Sequence, residues 1–494
     1  MEKSDSSNNR LVIVSNRLPV IISKKHGQEW ESEPGSGGLV TALAPVLKDR
    51  GGLWIGWPGN IIEDEVDTET LLKRESKNIG YTLKSVELSR LEVENYYKGF
   101  ANEILWPLFH DFIAYCNFNP DYWIAYQTVN HKFAEVIAEN IQPSDFIWIH
   151  DYHLIGVGEE LRKMGVKNQI GFFLHIPFPP TDIFVRLPWR FQILHSLLEY
   201  DLIGLQSFRE RRNFLQAIRT FVQDTRGMGK GPVIKMKVEE KEIRIGVFPI
   251  SIDFEEFSQL AASQEVSERA WYIHEDYREQ KIIFGVDRLD YTKGVPDRLK
   301  AYQNALRRYP ELCKKTTLIQ VVVPSRRDIP QYVTLLEEIE RLVGEINGEF
   351  TQPGWVPIHY IYRNLDRTEL VAYYRMAEVA FITPLKDGMN LVAKEYCSCN
   401  LELSGVLIMS EFAGSVAQFQ KAALVVNPHD IEGMADTLHR AINLPFNERN
   451  WRMKILRASV RKQNIFWWVD SFLEAAISKN LESFPKLEDY TPSQ

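Results

Sequence analysis

The sequence predicts an α/β protein built from two doubly wound parallel-sheet domains. The chain has 494 residues, which is too long for one ordinary hydrophobic core, so two domains of roughly 240 residues each are expected. Apolar runs of strand length alternate with amphipathic stretches of helix length along most of the chain. The runs are continuously apolar, which is typical of parallel strands that helices cover on both faces.

Eleven apolar runs predict the strands of the two sheets. In the first half they are LVIVS (11–15), LWIGW (53–57), FIWIH (146–150), IGFFL (170–174) and LIGL (202–205). In the second half they are IIFGV (282–286), LIQVVV (318–323), IHYIY (358–362), VAFIT (379–383), GVLIMS (405–410) and ALVVN (423–427). Helical periodicity between them predicts helices, for example over 331–346 and 430–444.

The boundary between the domains is predicted near GVFPISID (246–253), where a strand runs into Pro249. We therefore predict Rossmann-like domains over residues 1–248 and 249–460. The aromatic-rich stretch that begins at residue 461 predicts a helix, and residues 461–494 are expected to cross back to the N-terminal domain. Ligands of such folds bind outside the carboxyl ends of the strands, and pockets favour domain interfaces. A central cleft is therefore the expected site.

Composition and charge exclude several classes of protein. The net charge is −8 and no basic block stands out, which argues against nucleic acid as the main partner. No signal peptide is visible before the first strand, and no apolar run is long enough to span a membrane. The four cysteines have no spacing typical of zinc sites or disulfide frameworks. A soluble cytoplasmic protein with reduced thiols is expected.

The stretch TPLKDGMNLVAKEY (383–396) predicts a strand end, a turn over 387–390 and the start of a helix. A helix N-terminus presents unpaired N–H groups and suits an anion, yet Asp387 lies in the turn and Glu395 two helical turns later. One interpretation is that Asp387 caps the helix. The alternative is a ligand with an anionic part and several hydroxyls, as in a sugar nucleotide.

Two cations follow a predicted strand in DRLDYTKG (287–294). Arg288 and Lys293, next to Gly294, could clamp a pyrophosphate, although a solvated loop with ordinary salt bridges is the better explanation in isolation. GSGGL (35–39) could let a substrate approach the backbone, but it lacks the spacing of a dinucleotide fingerprint, which disfavours a dehydrogenase.

Histidines at strand ends are ambiguous. His175 precedes the stiff Ile176–Pro177 segment, and a lone histidine there is more often a packing residue than a catalyst. The pair in HDYH (150–153) lacks further ligands at suitable spacing, so we expect no metal site. No Ser-His-Asp order or nucleophile elbow is present. The distributed cations and aromatics instead suit two phosphorylated sugars.

The chain resembles the trehalose-6-phosphate synthases, a family of retaining glycosyltransferases with the GT-B architecture, from about residue 10 to about residue 478. The resemblance is carried by collinear motifs: VSNRLPV, SGGLVTAL, GLWIGWPG, YYKGFANEILWPLFH, WIHDYHL, GFFLHIPFP, DRLDYTKG, INGEFTQPGWVPIHY, TPLKDGMNLVAKEY and SEFAG. One departure is Lys386, which stands where an arginine is usual; lysine keeps the charge but loses the planar fork.

The resemblance implies a donor site for UDP-glucose in the C-terminal domain, completed by residues of the N-terminal one. Arg288 and Lys293 match the pair that holds the diphosphate, and Glu395 matches the acid that binds the ribose hydroxyls. Leu391 and Val392 would supply backbone contacts. The residues that match the surroundings of the transferred glucose are Gly38, His175, Asp387, Gly388, Met389 and Asn390.

The resemblance also implies an acceptor pocket for glucose 6-phosphate in the N-terminal domain. Arg17, Tyr97 and Arg326 match the groups near the phosphate, and Trp106 and Asp151 match the rest of the pocket. Arg288, Lys293, His175 and Asp387 would be the catalytic residues.

The implied reaction is retaining transfer of glucose to glucose 6-phosphate by front-face attack, with no cofactor and no divalent metal. No phosphatase module is visible, so a separate phosphatase is expected downstream, and a homo-oligomer is possible. Two alternatives remain open: a glucosylglycerol-phosphate synthase that uses glycerol 3-phosphate, and a non-catalytic regulator that binds sugar phosphates.

Overall fold

The computed structural model describes residues 10–25, 29–35, 38–59, 61, 67–326, 329–478, 481 and 484–492. The chain divides into two compact units. Unit 1 contains Met1–Pro249 and Val469–Leu487, and unit 2 contains Ile250–Trp468 and Glu488–Gln494.

Unit 1 is built on a nine-stranded sheet that is parallel except at one end. Its strands are β1 (Leu11–Arg17), β4 (Leu53–Trp57), β5 (Thr82–Ser85), β6 (Phe146–His150), β7 (Ile170–Phe173), β8 (Leu202–Leu205), β9 (Thr225–Met228), β10 (Val233–Val238) and β11 (Lys241–Val247). They lie in the order β5-β4-β1-β6-β7-β8-β11-β10-β9, and only the β11-β10 and β10-β9 pairs are antiparallel. A separate hairpin joins β2 (Val20–Lys25) and β3 (Glu29–Pro34).

Unit 2 is built on a six-stranded sheet in which every pair is parallel. Its strands are β12 (Lys281–Arg288), β13 (Thr316–Val323), β14 (Ile358–Ile361), β15 (Val379–Ile382), β16 (Val406–Ser410) and β17 (Leu424–Val426). Their order is β14-β13-β12-β15-β16-β17. All eleven predicted apolar runs are strands, and each belongs to the parallel part of its sheet. The predicted fold class is confirmed.

Helices connect the strands of each sheet. Those of the first half are Gly38–Arg50, Thr68–Ile79, Arg90–Glu92, the π-helix Val93–Leu105, Trp106–Phe109, Pro120–Asn140, Val157–Lys163, Thr181–Phe184, Arg190–Leu197 and Phe208–Phe221. Those of the second half are Phe254–Ala262, Gln264–Asp276, Val295–Arg308, Pro330–Phe350, Arg367–Met376, Leu391–Cys399, Val416–Phe419, Ile431–Asn443, Phe446–Lys462 and Ile465–Ile477. Short 3₁₀ turns lie at Ile113–Tyr115, Tyr152–Leu154, Tyr291–Lys293 and Pro310–Leu312.

The last helix fills a space that two strand glycines leave open. Phe472 stacks on Trp148 with ring centroids 4.3 Å apart. A Cβ on Gly171 would lie 2.8 Å from the Phe472 ring, and one on Gly204 would lie 2.7 Å from it. The glycines in IGFF and LIGL therefore admit a large aromatic ring against the sheet, where close packing excludes any larger residue.

Two further sequence expectations can be compared with the fold. The predicted tail helix is shorter than expected, because Arg461 and Lys462 end the preceding helix and the last one begins at Ile465. All four cysteines are free thiols. Within the described part of the chain, no helix is both long and apolar enough to cross a membrane.

Candidate functional site

The predicted residue Arg17 lies at the end of β1, and the two residues before it, Ser15 and Asn16, are each hydrogen-bonded to an aromatic side chain. The Trp54 indole donates to Ser15 Oγ over 2.7 Å, and the Tyr96 hydroxyl donates to Asn16 Oδ1 over 2.8 Å. These bonds fix the backbone that carries the Arg17 side chain.

The Arg17 guanidinium lies between two aromatic rings. Its carbon is 3.9 Å from the centroid of the Trp57 ring and 5.1 Å from that of Tyr97. Cation–π contact of this kind orients a guanidinium without neutralising its charge. Gly59 makes the space, since its φ is +99° and a Cβ there would lie 2.2 Å from Arg17 Nη1. Arg17 and Tyr97, both predicted near a phosphate, are therefore brought together.

Tyr97 lies in the π-helix, and Trp106 begins the helix that follows it. The Asn102 amide donates to the Tyr97 carbonyl over 2.7 Å and accepts from the Tyr152 hydroxyl over 3.0 Å. The rings of Trp106 and Tyr152 lie 5.8 Å apart. π-helical turns are rare and are frequent at functional sites. Asn102 and Tyr152 were not predicted, although both lie within the quoted motifs.

Asp151 adopts a backbone conformation that non-glycine residues rarely hold, with φ of 75° and ψ of 166°. Its N–H donates to the Phe173 carbonyl over 2.8 Å, and its Oδ1 accepts from the His175 N–H over 3.1 Å. These bonds link the ends of β6 and β7. Backbone strain that the surrounding bonds maintain is characteristic of functional sites. The role of Asp151 in an acceptor pocket stays a prediction.

His175 contacts a second histidine that the sequence analysis did not assign to the site. His150 Nδ1 lies 3.1 Å from His175 Nε2. Burial lowers the pKa of His175 to about 3, and burial followed by the neighbouring His175 lowers that of His150 well below its usual value. Both rings are therefore neutral at pH 7.

Gly38 is the first residue of the helix Gly38–Arg50, and Gly35 donates its N–H to the Pro19 carbonyl over 2.7 Å. Residues 36 and 37 of the predicted loop lie outside the described residues. Gly38 thus lies at a helix N-terminus, and the approach of a substrate to its backbone stays a prediction.

In unit 2, three predicted cations surround the buried carboxylate of Asp290. Its Oδ2 lies 4.0 Å from Arg288 Nη2 and 3.9 Å from Arg326 Nη1. Burial alone would raise the pKa of Asp290, but Arg326, Lys293 and Arg288 hold it below its usual value. Three cations thus face one carboxylate, so a bound phosphate would be a second anion beside them.

Arg326 is further oriented by Tyr332, whose hydroxyl accepts from Nη1 over 2.6 Å. Its φ of 47° is again unusual for a residue with a side chain. The structure thus places Arg326 beside Arg288 in unit 2, whereas Arg17 and Tyr97 belong to unit 1.

Asp387 forms an ion pair with Lys293, with 2.7 Å between Oδ2 and Nζ. The helix N-cap is Asn390, whose Oδ1 accepts from the Ala393 N–H over 3.1 Å, while its Nδ2 donates to Asp387 Oδ2 over 3.1 Å. The interpretation of Asp387 as the cap is therefore wrong. Asn390 adopts the left-handed conformation that the turn needs and caps the helix, so Asp387 faces the cation instead.

The turn 387–390 is held from outside by the segment that follows β16. Asp387 N–H donates to the Phe412 carbonyl over 3.2 Å, and Ser415 N–H donates to the Met389 carbonyl over 3.0 Å. Gly414 lies so close that a Cβ there would be 1.9 Å from the Gly388 carbonyl oxygen. The SEFAG motif therefore supports the predicted glucose-binding turn.

The loop that carries Lys293 is held from beneath by Arg298, a fully buried residue that was not predicted. Its guanidinium donates to Asp287 Oδ2 over 2.6 Å, to Gln320 and Thr383, and to the Lys293 carbonyl over 3.4 Å. Burial raises the pKa of Asp287, and Arg298 opposes this shift. Through these partners the buried guanidinium links β12, β13 and the residue after β15 to the loop that carries Lys293.

Glu395 lies on the first turns of the helix that Leu391 and Val392 begin. The Tyr374 hydroxyl donates to its Oε2 over 2.8 Å. Burial raises the pKa of Glu395, while Tyr374 and the charge of Arg367 lower it. A half-buried carboxylate held at one oxygen can accept further hydrogen bonds from paired hydroxyls.

Each unit therefore contains cations that could bind a phosphate and carboxylates that could accept hydrogen bonds from hydroxyl groups: Arg17 and Asp151 in unit 1, and Arg288, Lys293, Asp387 and Glu395 in unit 2. Among the residues that the structure describes, no group of three or more His, Cys, Asp or Glu side chains could hold a metal ion.

Comparison with known proteins gives concordant findings. Residues 9–478 match the model of glycosyltransferase family 20. The chain is 41% identical over 471 residues to the trehalose-6-phosphate synthase of Mycobacterium leprae, covering 94% of each chain.

Two solved structures are similar throughout. One is a UDP-forming α,α-trehalose-phosphate synthase from Burkholderia xenovorans in complex with glucose 6-phosphate, with a TM-score of 0.86, 34% identity and coverage of 95% of this chain and 100% of that one. The other is the E. coli protein bound with UDP-2-fluoro glucose, with a TM-score of 0.84, 35% identity and coverage of 95% and 99%. These neighbours confirm the predicted GT-B architecture.

Proposed function

Because the chain belongs to glycosyltransferase family 20, we propose that it transfers glucose from UDP-glucose to glucose 6-phosphate with retention of configuration, giving α,α-trehalose 6-phosphate and UDP. The observation that carries the proposal is the Lys293–Asp387 pair, 2.7 Å apart beside Arg288 and the turn 387–390. The pair joins Lys293, which would bind the diphosphate, to Asp387, which would bind the glucose. Relatives of this chain have been solved with a glucose phosphate and with a UDP-glucose analogue.

In this proposal unit 2 binds the donor. Arg288 and Lys293 neutralise the diphosphate, and the Lys293 ammonium has three N–H donors, so it can hold a phosphate oxygen while still bonded to Asp387. Asp387 accepts from hydroxyls of the glucose, with backbone groups of Gly388, Met389 and Asn390 around it. Glu395 accepts from the ribose hydroxyls, and the backbone of Leu391 and Val392 completes the contact.

The acceptor is bound through its phosphate by Arg17, Tyr97 and Arg326, and through its sugar ring by Trp106 and Asp151. Arg17 suits this role because the rings of Trp57 and Tyr97 hold its guanidinium in place. A planar guanidinium that is already oriented loses little further freedom when it binds a phosphate.

The chemical step then needs little from the protein beyond placement and charge. The bond between the glucose C1 and the β-phosphate oxygen breaks as the anomeric oxygen of the acceptor attacks C1 from the same face. The acceptor's hydroxyl proton passes to the leaving phosphate oxygen, which balances the reaction without a protein base. Lys293 and Arg288 stabilise the negative charge that grows on UDP, and His175 and Gly38 position the glucose.

The test is a paired assay of purified protein with UDP-glucose and either glucose 6-phosphate or glycerol 3-phosphate, following UDP release and product mass. We expect UDP release with glucose 6-phosphate only, and a product that retains its phosphate for a separate phosphatase. Turnover with glycerol 3-phosphate alone would replace the acceptor assignment. UDP binding without turnover on either would indicate a regulator.

A further inference from the structure

A pocket in unit 2 lies at the edge of the sheet where its strands begin. Gln280, just before β12, and the segment 351–356, just before β14, line a cavity of about 850 Å³. Small-molecule sites have volumes of about 300–1,000 Å³. Arg288 ends β12 at the opposite edge, because eight strand residues advance the chain by roughly 23 Å at about 3.3 Å per residue. The pocket is therefore separate from the proposed diphosphate-binding residues.

A fixed turn forms one wall of this pocket. Gln352 and Trp355 exchange two backbone hydrogen bonds, over 3.1 and 2.9 Å, around Pro353 and Gly354. Gly354 has a φ of +78°, and proline followed by a glycine with positive φ is typical of a type II turn. The indole N–H of the buried Trp355 donates to the Thr316 carbonyl over 2.9 Å, which anchors the turn to β13. A ligand would therefore not have to order this wall when it binds.

The pocket contains side chains with unused hydrogen-bonding groups. The carboxylate of Asp276, the hydroxyl of Tyr277 and the imidazole of His359 make no hydrogen bond or ion pair to another residue that the structure describes. Burial raises the pKa of Tyr277 to about 12 and lowers that of His359. At pH 7 the tyrosine hydroxyl therefore keeps its proton, and the neutral histidine ring offers one donor and one acceptor.

The charge of the pocket and the angle between its rings restrict the ligands that fit. Among the ten residues that line it, all of them described, Asp276 is an acid and none is a lysine or arginine. A phosphate would therefore be repelled without a compensating cation. The rings of Tyr277 and His359 meet edge to face, with centroids 5.1 Å apart and planes at 86°, so a flat base cannot stack between them.

We propose that this pocket binds a neutral saccharide, at the edge of the sheet opposite the donor residues. The Asp276 carboxylate accepts from neighbouring hydroxyls, the groups of Tyr277 and His359 bond others, and the ring faces pack on C–H groups of the sugar. The Tyr272 ring is 66% exposed and lies one helical turn before Asp276 on the same face of the helix, so it extends this surface. The inference goes beyond the proposed function and does not depend on it.

The test is saturation-transfer NMR with carbon-13-labelled glucose, maltose and α,α-trehalose as probes. The protein is first saturated with unlabelled UDP and glucose 6-phosphate, which occupy the proposed substrate sites. We expect saturation transfer to at least one of the three saccharides, with a Kd on the order of 1 mM. Labelled glucuronate should bind more weakly than glucose, because its carboxylate meets that of Asp276.

Variants identify the pocket as the place of binding. Asp276→Ala should weaken saccharide binding by roughly tenfold, and His359→Ala by roughly three- to tenfold. Asp276 is the last residue of its helix, where an acid opposes the helix dipole, so its removal should not harm folding. Glu275→Gln is the matched control, since Glu275 precedes Asp276 and pairs with Arg278 outside the pocket. It should leave saccharide affinity unchanged.

Thermal unfolding of each variant shows that it folds. Saturation transfer to none of the three saccharides would overturn the inference. So would transfer that UDP and glucose 6-phosphate abolish, or affinities that Asp276→Ala and His359→Ala leave unchanged. Binding of glucuronate as tight as that of glucose would contradict the role of Asp276. A parent protein that fails to form product would bear only on the proposed function, because this binding is measured without turnover.

Discussion

Gly414→Ala tests whether the segment after β16 sets the geometry of the donor turn. A Cβ at this position would lie 1.9 Å from the Gly388 carbonyl oxygen and 3.0 Å from its carbon. Ordinary contact begins at 3.4 Å, so the two backbones must separate by about 1.5 Å, and neither is a flexible side chain that could move aside.

The displacement acts directly on the proposed glucose-binding residues, because the same segment accepts the Asp387 N–H and donates to the Met389 carbonyl. A shift of about 1 Å in a reacting group can cost about 10²-fold. We therefore expect kcat/KM for UDP-glucose to fall by at least roughly 10²-fold, while KM for glucose 6-phosphate changes by less than about threefold.

The assay is UDP release at varied donor and at varied acceptor, with circular dichroism and thermal unfolding to show that the variant folds. Gly344→Ala and Gly348→Ala are matched controls, since a Cβ at either position meets nothing within 4 Å. Both lie inside the helix Pro330–Phe350, where alanine should stabilise slightly. A folded Gly414→Ala with the parent's kcat/KM for the donor would refute the reasoning.

Four further changes test other parts of the account. Lys293→Ala should lower kcat by roughly 10²-fold or more, measured as UDP release at saturating substrates; a rate near that of the parent would remove its electrostatic role. Arg17→Gln should raise KM for glucose 6-phosphate by roughly 10- to 100-fold and leave UDP affinity unchanged; equal losses for both ligands in calorimetry would point to structural damage. UDP affinity should fall as the pH drops through the raised pKa of Glu395, because ribose hydroxyls donate more strongly to the carboxylate than to the protonated acid. Calorimetry of Glu395→Gln at the same pH values should lack this fall in UDP affinity. The same pH profile in the variant and the parent would contradict the assignment. Burial lowers the pKa of Lys394 to about 7 in the folded protein. Between pH 7 and about 10.5 the unfolded protein therefore binds more protons than the folded one, so the free energy of unfolding rises with pH in that range. The stability of Lys394→Met relative to the parent should therefore decline by roughly 3–5 kcal/mol between pH 7 and pH 10, measured by denaturant unfolding; a constant difference would contradict the buried charge.

The sequence was most informative where burial determines the residue type. Strands covered on both faces must be apolar along their whole length, and every such run was recognised as a strand of a parallel sheet. The strands that were missed include β9 and β10, which lie at one end of the sheet. β10 carries Lys235 and Lys237 at alternating positions, and β9 is only four residues long and carries Arg226. Their pairing depends on partners elsewhere in the chain, which local composition does not reveal.

The sequence motifs pointed to the candidate site residues, but they did not reveal the residues that hold those side chains and turns in place. Asp387 and Asn390 are both good capping residues, and only the turn geometry shows that Asn390 is the cap. Arg298 looks like an ordinary helix residue until its four buried partners are seen. Gly414 looks like an ordinary loop glycine until the Gly388 carbonyl is seen against it. These roles arise from long-range contacts, which a single sequence does not specify.

The most direct test of the central claim is proton NMR of the product formed from UDP-glucose and glucose 6-phosphate. The account predicts one non-reducing disaccharide phosphate in which both anomeric protons show the small coupling of α linkages. Attack on the face that the phosphate leaves retains the α configuration at the transferred glucose, and the α anomer of glucose 6-phosphate supplies the second α centre. A product with a β linkage, or one with a free reducing end, would contradict it.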